Sequence, residues 1–317
     1  TLFPYTTLFR SPTFWLLLGA RTFAGVFGGV LGSQVLSIVG DVFDYQRRAQ
    51  AMGIVMTAFS AASVVGVPFG LYIATEFSWH APFAFVGLLG VLVTGLIALY
   101  IPPLDGHITA KQDRPSTWAV LTNILQSPNQ LRALALTTTI MVGHFSIIPF
   151  ISPYLVANVG FQESDIYLIY LVGGFLTIFS APIVGKIADR RGKLPVFIFF
   201  ALLSLLPVYL ITTMPPASLT YVLFVSAIFF VFSNGRLVPT QAMVASVVSP
   251  QQRGGFMAIN SSVQLLAQSL ATYGAGTLIG KTPSGQLTQY DIVGYLSMLV
   301  LFSSIFIARQ IRVLDAS

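Results

Sequence analysis

Apolar residues run through this chain in long unbroken stretches. Each is near the roughly 20 residues that a membrane-spanning helix needs. Nine can be marked, at about 14–40, 50–75, 81–101, 132–158, 166–187, 194–214, 219–245, 256–280 and 290–309. Short polar clusters separate them, among them Tyr45-Gln46-Arg47-Arg48, Ile101-Pro102-Pro103, Asp189-Arg190-Arg191-Gly192, Met214-Pro215-Pro216 and Thr282-Pro283-Ser284-Gly285. Proline and glycine end helices and make turns, so these clusters read as connections. A membrane barrel would instead alternate apolar and polar residues in segments of about ten. The pattern predicts an all-α membrane protein with nine transmembrane helices visible.

Composition narrows the class. Only 8% of the 317 residues are charged, against about 25% in an ordinary soluble domain. Hydrophobic residues make up 55%, and the mean hydropathy is +0.81. A soluble fold of this length needs a charged surface that this chain lacks. Disorder is excluded by the same numbers, and a disulfide scaffold by the absence of cysteine. The net charge of +6 therefore reads as membrane topology, with no nucleic-acid partner implied.

Basic residues cluster in alternate connections. Arg47 and Arg48 lie in the first, and Lys111, Arg114 and Arg132 in or beside the third. Lys186, Arg190, Arg191 and Lys193 lie in the fifth, Arg253 in the seventh, and Arg309 and Arg312 in the tail. The even-numbered connections hold only Lys281. Positive charge stays on the cytoplasmic side of a bilayer. The odd connections and the C-terminus are thus expected in the cytoplasm, and the first helix starts outside.

Four segments follow. Residues 1–13 have no initiator Met and no charged region before an apolar run. They read as a non-native leader, like a translated sequencing adapter, or else as a short external tail. Residues 14–104 carry three helices, 105–131 form a polar linker, and 132–317 carry six helices. A faint repeat relates the two halves at an offset of 205 residues, matching Gln46, Arg48 and Met52 to Gln251, Arg253 and Met257. Parallel six-helix repeats are a transporter architecture. On that pattern the first half lacks three helices.

The sharpest motif is Gly185-Lys186-Ile187-Ala188-Asp189-Arg190-Arg191-Gly192-Lys193-Leu194-Pro195. Gly192 permits a tight reversal. Asp189 can accept from free N–H groups at a helix start or pair with Arg190. The basic side chains suit an anionic inner leaflet. The spacing Gly-x-x-x-Asp-Arg-x-Gly-Lys resembles the signature loop of the major facilitator superfamily. That resemblance implies a major facilitator fold lacking helices 1–3, because the loop recurs after the family's eighth helix and here follows the fifth. The visible helices become the fourth to the twelfth.

Other motifs take places in that register. Arg21-Thr22-Phe23-Ala24-Gly25 resembles an R-x-x-x-G motif that the family associates with proton coupling. Arg21 could equally reach the outer interface from its helix start. Gly25 and Gly29, and Gly28 and Gly32, form G-x-x-x-G pairs suited to close packing. Gly66, Pro68 and Gly70 resemble part of the antiporter motif, which implies export; the plainer reading is a kinked, tightly packed helix. Arg236 lies well inside an apolar stretch, so it is expected to face a central cavity or to hold neighbouring carbonyls. The stretch from Gly235 through Pro250, Arg253 and Asn260 to Gln268 resembles the bacterial sugar-efflux and multidrug-efflux branch of the family.

Few polar residues remain to line a pathway: Ser33, Gln34, Ser37, His144, Ser146, Asn234, Gln241, Asn260, Gln264 and Gln268. Asn260, Gln264 and Gln268 are four apart and share a helix face; such groups also serve as interhelical hydrogen bonds. No Asp or Glu falls in the middle of an apolar stretch. A proton relay usually needs a buried carboxylate or histidine, and His144 is the candidate here. The coupling carboxylate is therefore expected in the missing helices. Soluble-enzyme motifs and a P-loop are absent from the sequence. The expectation is a monomeric, non-enzymatic secondary transporter of a bacterial inner membrane, exporting small amphipathic or sugar-like solutes against protons. Neither cofactor nor metal is implied. Asp41, Arg47 and Arg48 would latch the cytoplasmic connections, by the same resemblance. The rivals are an importer of sugars or organic anions, and a non-transporting membrane sensor or assembly protein.

Overall fold

A computed structural model describes residues 19, 22, 32, 34–40, 42–66, 69–70, 73, 76–78, 81–100, 117–162 and 165–314. It is mostly helical. Residues 34–40 are helical and lead into α1 (Tyr45–Ala61), which passes into a π-helical turn at Ala62–Gly66. α2 spans Ala81–Tyr100 and α3 spans Thr117–Gln126. α4 (Pro128–Phe145) and α5 (Ile148–Tyr154), with its π turn Leu155–Val159, form one broken span. α6 (Ile166–Arg191), α7 (Lys193–Leu203), α8 (Leu205–Thr212) and α9 (Leu219–Ala245) follow. α10 (Pro250–Leu278) and α11 (Tyr290–Arg309) close the chain.

Among the described residues, five spans are long and apolar enough to cross a membrane: Pro128–Val159, Ile166–Arg191, Lys193–Thr212, Leu219–Ala245 and Tyr290–Arg309. α10 is equally long but carries more polar residues. Local chemistry sets several boundaries. Ser127 caps α4, its hydroxyl accepting from the Gln130 N–H at 3.4 Å with Pro128 next. That moves the helix start four residues ahead of the apolar stretch. Ser218 caps α9 in the same way. Thr282-Pro283-Ser284-Gly285 turns a small antiparallel hairpin, β1 (Gly280–Lys281) and β2 (Leu287–Thr288), with Gly285 at φ 86°.

Two expectations need correction. The segment 105–131 is not all polar connection: α3 occupies its second half. The signature segment is not an open loop. Residues 185–191 are the last two turns of α6, and Gly192 alone joins them to α7. Its φ of 92° and ψ of 141° make the reversal in one residue, a conformation open to glycine.

The buried core lies between α4, α6, α7, α9, α10 and α11, and α1 packs closely along α6. The outward faces stay apolar, with Leu270 and Tyr273 on α10 exposed. Lipid is the solvent such a surface fits. α2 differs, because every described side chain from 84 to 99 is exposed.

Candidate functional site: latches at the basic end and a buried arginine

The signature segment docks on the start of α1. Two glycines allow the approach: a Cβ on Gly185 would lie 2.4 Å from the Ala49 carbonyl oxygen, and one on Gly53 would lie 2.5 Å from that of Ala181. One turn beyond Gly185, Asp189 reaches across. Its Oδ1 accepts from the Ala49 N–H at 3.1 Å and its Oδ2 from the Gln50 N–H at 2.8 Å. A carboxylate near a helix N-terminus is favoured by the local dipole. Of the two roles expected for Asp189, the N–H acceptor holds. Its charge partner is Lys193 at 3.0 Å, which is 2% exposed. Lys193 also donates to the Tyr45 carbonyl at 2.5 Å and sits 3.4 Å over the Tyr45 ring. Arg190 and Arg191 are exposed.

A second latch lies beside the first. Arg48 and Arg253, the repeat-related pair, are both buried and both donate to the Gly40 carbonyl, at 2.7 and 2.6 Å. Arg48 also donates to the Ser246 hydroxyl and the Phe43 carbonyl, and Arg253 to the Ala245 carbonyl at 2.9 Å. Gly40 and Ala245 share the 205-residue offset. Each arginine thus holds the end of the helix before it, and each crosses to the other half. Arg47 is exposed, and Asp41 lies outside the described residues.

Deep in the C-terminal half sits Arg236, with 0% exposure. It does not face an open cavity as expected. Nη1 donates to the Ser204 hydroxyl at 2.5 Å, at the α7–α8 junction, and Nη2 lies 3.1 Å from His144 Nδ1. Arginine only donates, so Nδ1 is the acceptor and the imidazole is neutral. The ring stacks on Phe229, with centroids 5.8 Å apart at 7°. Among the described residues Arg236 Nε has no partner. The surrounding helices α4, α7, α8 and α9 contain no Asp or Glu.

His144 stands at the end of α4, just before the chain breaks. Pro149 has no N–H for the Phe145 carbonyl, so the helix cannot run straight through. Hydroxyls from neighbours cover carbonyls at the break: Ser297 on Gly143 and Thr272 on Phe145 at 3.2 Å, while Tyr290 adds a second donor at 3.0 Å to the Ile147 carbonyl, which also accepts from the Phe150 N–H. Broken helices of this kind mark functional regions in transporters. The cover from Thr272, Ser297 and Tyr290 was invisible in the sequence, since hydroxyls on apolar helices carry no periodic signal.

The other expected residues scatter. Asn260 is fully buried, its side-chain carbonyl accepting from Thr137 at 2.7 Å while Nδ2 has no partner among the described residues. Gln268 donates to Met141 sulfur at 3.4 Å, and Gln264 is half-buried. This face of α10 therefore ties to α4. Asn234 bonds its own helix at the Phe230 carbonyl, and Ser146 does so at Val142. Gln241 is buried with Oε1 unpartnered. Gln34 is exposed and Ser37 buried. Arg21, Gly25, Gly28, Gly29, Ser33 and Pro68 lie outside the described residues. Gly66 and Gly70 have open space where a Cβ would stand, so no tight packing surrounds them among the described residues. A π turn precedes Pro68 instead.

A broken span with hydroxyl-covered carbonyls, beside latches that join two repeat-related halves, is the form of a transporter. Residues 1–272, and again residues 133–309, match the Major Facilitator Superfamily. The chain belongs to the Major Facilitator Superfamily. It is a membrane protein of a transporter family and not an enzyme. It is 26% identical over 296 residues to YtbD, an uncharacterized MFS-type transporter of Bacillus subtilis, covering 89% of this chain and 67% of that one. It is 23% identical over 190 residues to a "Probable sugar efflux transporter" of Helicobacter pylori, covering 60% of this chain and 46% of that one. Its fold is similar to FucP in the outward conformation, with TM-score 0.66 and 14% identity over 88% of this chain and 72% of that one. A second FucP structure, described as the E. coli fucose:proton symporter, has TM-score 0.64 at 14% identity.

Proposed function

We propose that this superfamily member is a proton-coupled exporter of small amphipathic or sugar-like solutes, working by alternating access in a bacterial inner membrane. The basic end faces the cytoplasm, the C-terminus with it, and the protein acts as a monomer. The carrying observation is the double latch at that end. Asp189 and Lys193 on one half, and Arg48 and Arg253 between both, bond across α1 and α6–α7. Such a latch must open and close if the solute is to enter from the cytoplasm in one state and leave outward in the other.

The visible helices are the fourth to twelfth of the fold, with the missing three packing on the first half. Two facts support this reading. Residues 84–99 of α2 present no buried face, and the chain spans 67% of YtbD's length. Residues 14–104 belong to the N-terminal bundle, 105–131 to the linker and 132–317 to the C-terminal bundle. His144, Asn234, Arg236, Gln241, Asn260 and Gln264 are the pathway or coupling residues of the C-terminal bundle, with Arg21 and Gln34 in the other.

Export is favoured by the relative described as a sugar efflux transporter; the FucP likeness keeps sugar import as the second reading. Everted membrane vesicles distinguish them. Energised vesicles should accumulate a labelled mono- or disaccharide, and a protonophore should abolish the accumulation. Accumulation only in right-side-out vesicles would establish import. Saturable binding with no flux in either orientation would establish a sensor.

A further inference from the structure

We propose that His144 Nδ1 is a proton-binding site within this chain, occupied in turn by Arg236 and by a proton. This rests on the proton-coupled reading and names a coupling group for it, alongside any carboxylate that other helices supply. The geometry makes the two occupants exclusive. Nδ1 has one lone pair in the ring plane, and Arg236 Nη2 points at it from 3.1 Å. A proton on Nδ1 removes that acceptor and sets two cations side by side, so the guanidinium must leave. The hydrogen bond to Arg236 breaks and an N–H bond forms at Nδ1; the proton comes from hydronium, whose O–H bond breaks to leave water.

Access fits the order of events. Arg236 is sealed at 0% exposure, whereas His144 is partly exposed. Of the two residues, His144 alone has any exposure. Among the described residues, its neighbours leave no other acid or base to take the proton. α9 presents Arg236 and Phe229, and the α7–α8 junction presents Ser204. α10 presents Gln268 and Thr272, both uncharged, with its Arg253 held in the latch. α11 presents Ser297 and Tyr290, while its Asp291 and Arg309 stand at its two ends. α5 brings Tyr154, bonded to the Met214 carbonyl, and α3 has no charged residue.

Release of Arg236 has somewhere to act. His144 closes α4 directly before the break at Ser146–Ile147, and Ser204 marks the break between α7 and α8. Arg236 bonds both interruptions at once. Protonation of His144 therefore releases the break after α4 from α9 and displaces the same guanidinium that holds Ser204 at the α7–α8 junction, which makes the pair a coupling element between proton binding and helix movement.

The test needs no knowledge of the solute. The chain has three histidines, so His80→Gln with His107→Gln leaves His144 alone. Solid-state NMR of this protein in liposomes, labelled with nitrogen-15 in histidine and arginine, reads both partners. At about pH 8 the ring should be neutral with Nδ1 unprotonated and hydrogen-bonded; as the pH is lowered step by step an imidazolium signal should grow. The Arg236 side-chain signal should move in step with it. The proposal is overturned by Nδ1 protonated at the start, by a ring that stays neutral while the fold persists, or by an Arg236 signal that ignores the change. A vesicle assay separates this from the transport reading. A one-unit pH gradient sustains roughly a tenfold sugar ratio per proton; His144→Gln should lose that ratio, read relative to its own downhill flux. Retained coupling overturns the proton site alone. Wild-type protein without any sugar flux overturns the transport reading, while the NMR result still decides the proton site.

Discussion

Replacing Gly185 with alanine places a methyl group where there is no room. Its Cβ would stand 2.4 Å from the Ala49 oxygen and 2.7 Å from Gln50 Cα. Ordinary contact begins near 3.4 Å, and both obstacles are backbone, so no side-chain rotation relieves the clash. α6 must retreat from α1 by about 1 Å. Asp189, on the same helix, then loses its reach to the Ala49 and Gln50 N–H groups, now 3.1 and 2.8 Å away. Overpacking costs about 1–3 kcal/mol, and each charge-assisted bond is worth about 1.5–3 kcal/mol. With partial relaxation the latched state loses about 2–4 kcal/mol, or roughly 30- to 1,000-fold in its population ratio. The chain has no cysteine, which makes an accessibility assay clean. Ala188→Cys, at a fully buried position on α6, should react with a charged maleimide at least about 30 times faster in the Gly185→Ala background. Gly274→Ala, with open space around it, is the control and should leave the rate alone. Equal rates in both backgrounds would refute the role given to the close approach.

Three further outcomes follow from particular contacts. Gly192→Ala should cost about 1–3 kcal/mol in a detergent unfolding titration through its backbone angles, since a Cβ meets only Pro195 at 3.4 Å; Gly192→Asn should not recover the loss, because ψ 141° is outside the left-handed helical region. Asn158 pairs with both backbone groups of Leu287, at 2.8 and 2.9 Å, as a neighbouring strand would. Asn158→Ala should therefore loosen the hairpin, seen as faster amide exchange at Leu287, and destabilise the fold by about 1–3 kcal/mol. Arg253→Lys should raise maleimide labelling of the same Ala188→Cys position, since lysine cannot hold the Gly40 and Ala245 carbonyls together, whereas Arg47→Lys, at an exposed position, should not.

Much of the fold could be read from apolar run length alone, because lipid demands it of every span. The repeat was also legible, through three matched positions. Two of them carry equivalent structural duties: Arg48 and Arg253 share one carbonyl, and Met52 and Met257 are both fully buried. The signature segment revealed its importance through spacing, but only half of its chemistry. Gly192 announces a reversal; Gly185 announces nothing, since its reason lies in α1, 136 positions away at Ala49. Arg236 stood out as a charge in an apolar run, yet its partners came from two other spans. Helix breaks at Ser146–Ile147 and Ser204 were missed because apolar residues continue across them, and only Pro149 hinted at the first.

Alternating access is tested most directly by paired distances at the two ends. Spin labels on Gln46→Cys and Arg190→Cys span the basic end, and labels on Phe77→Cys and Gln162→Cys span the other; all four positions are exposed. Double electron–electron resonance in liposomes reads each pair in turn. Asp189→Asn weakens the latch by removing the carboxylate charge. Alternating access predicts that it lengthens the first distance and shortens the second in the same sample. Distances that stay fixed at both ends, or that lengthen together, would contradict it.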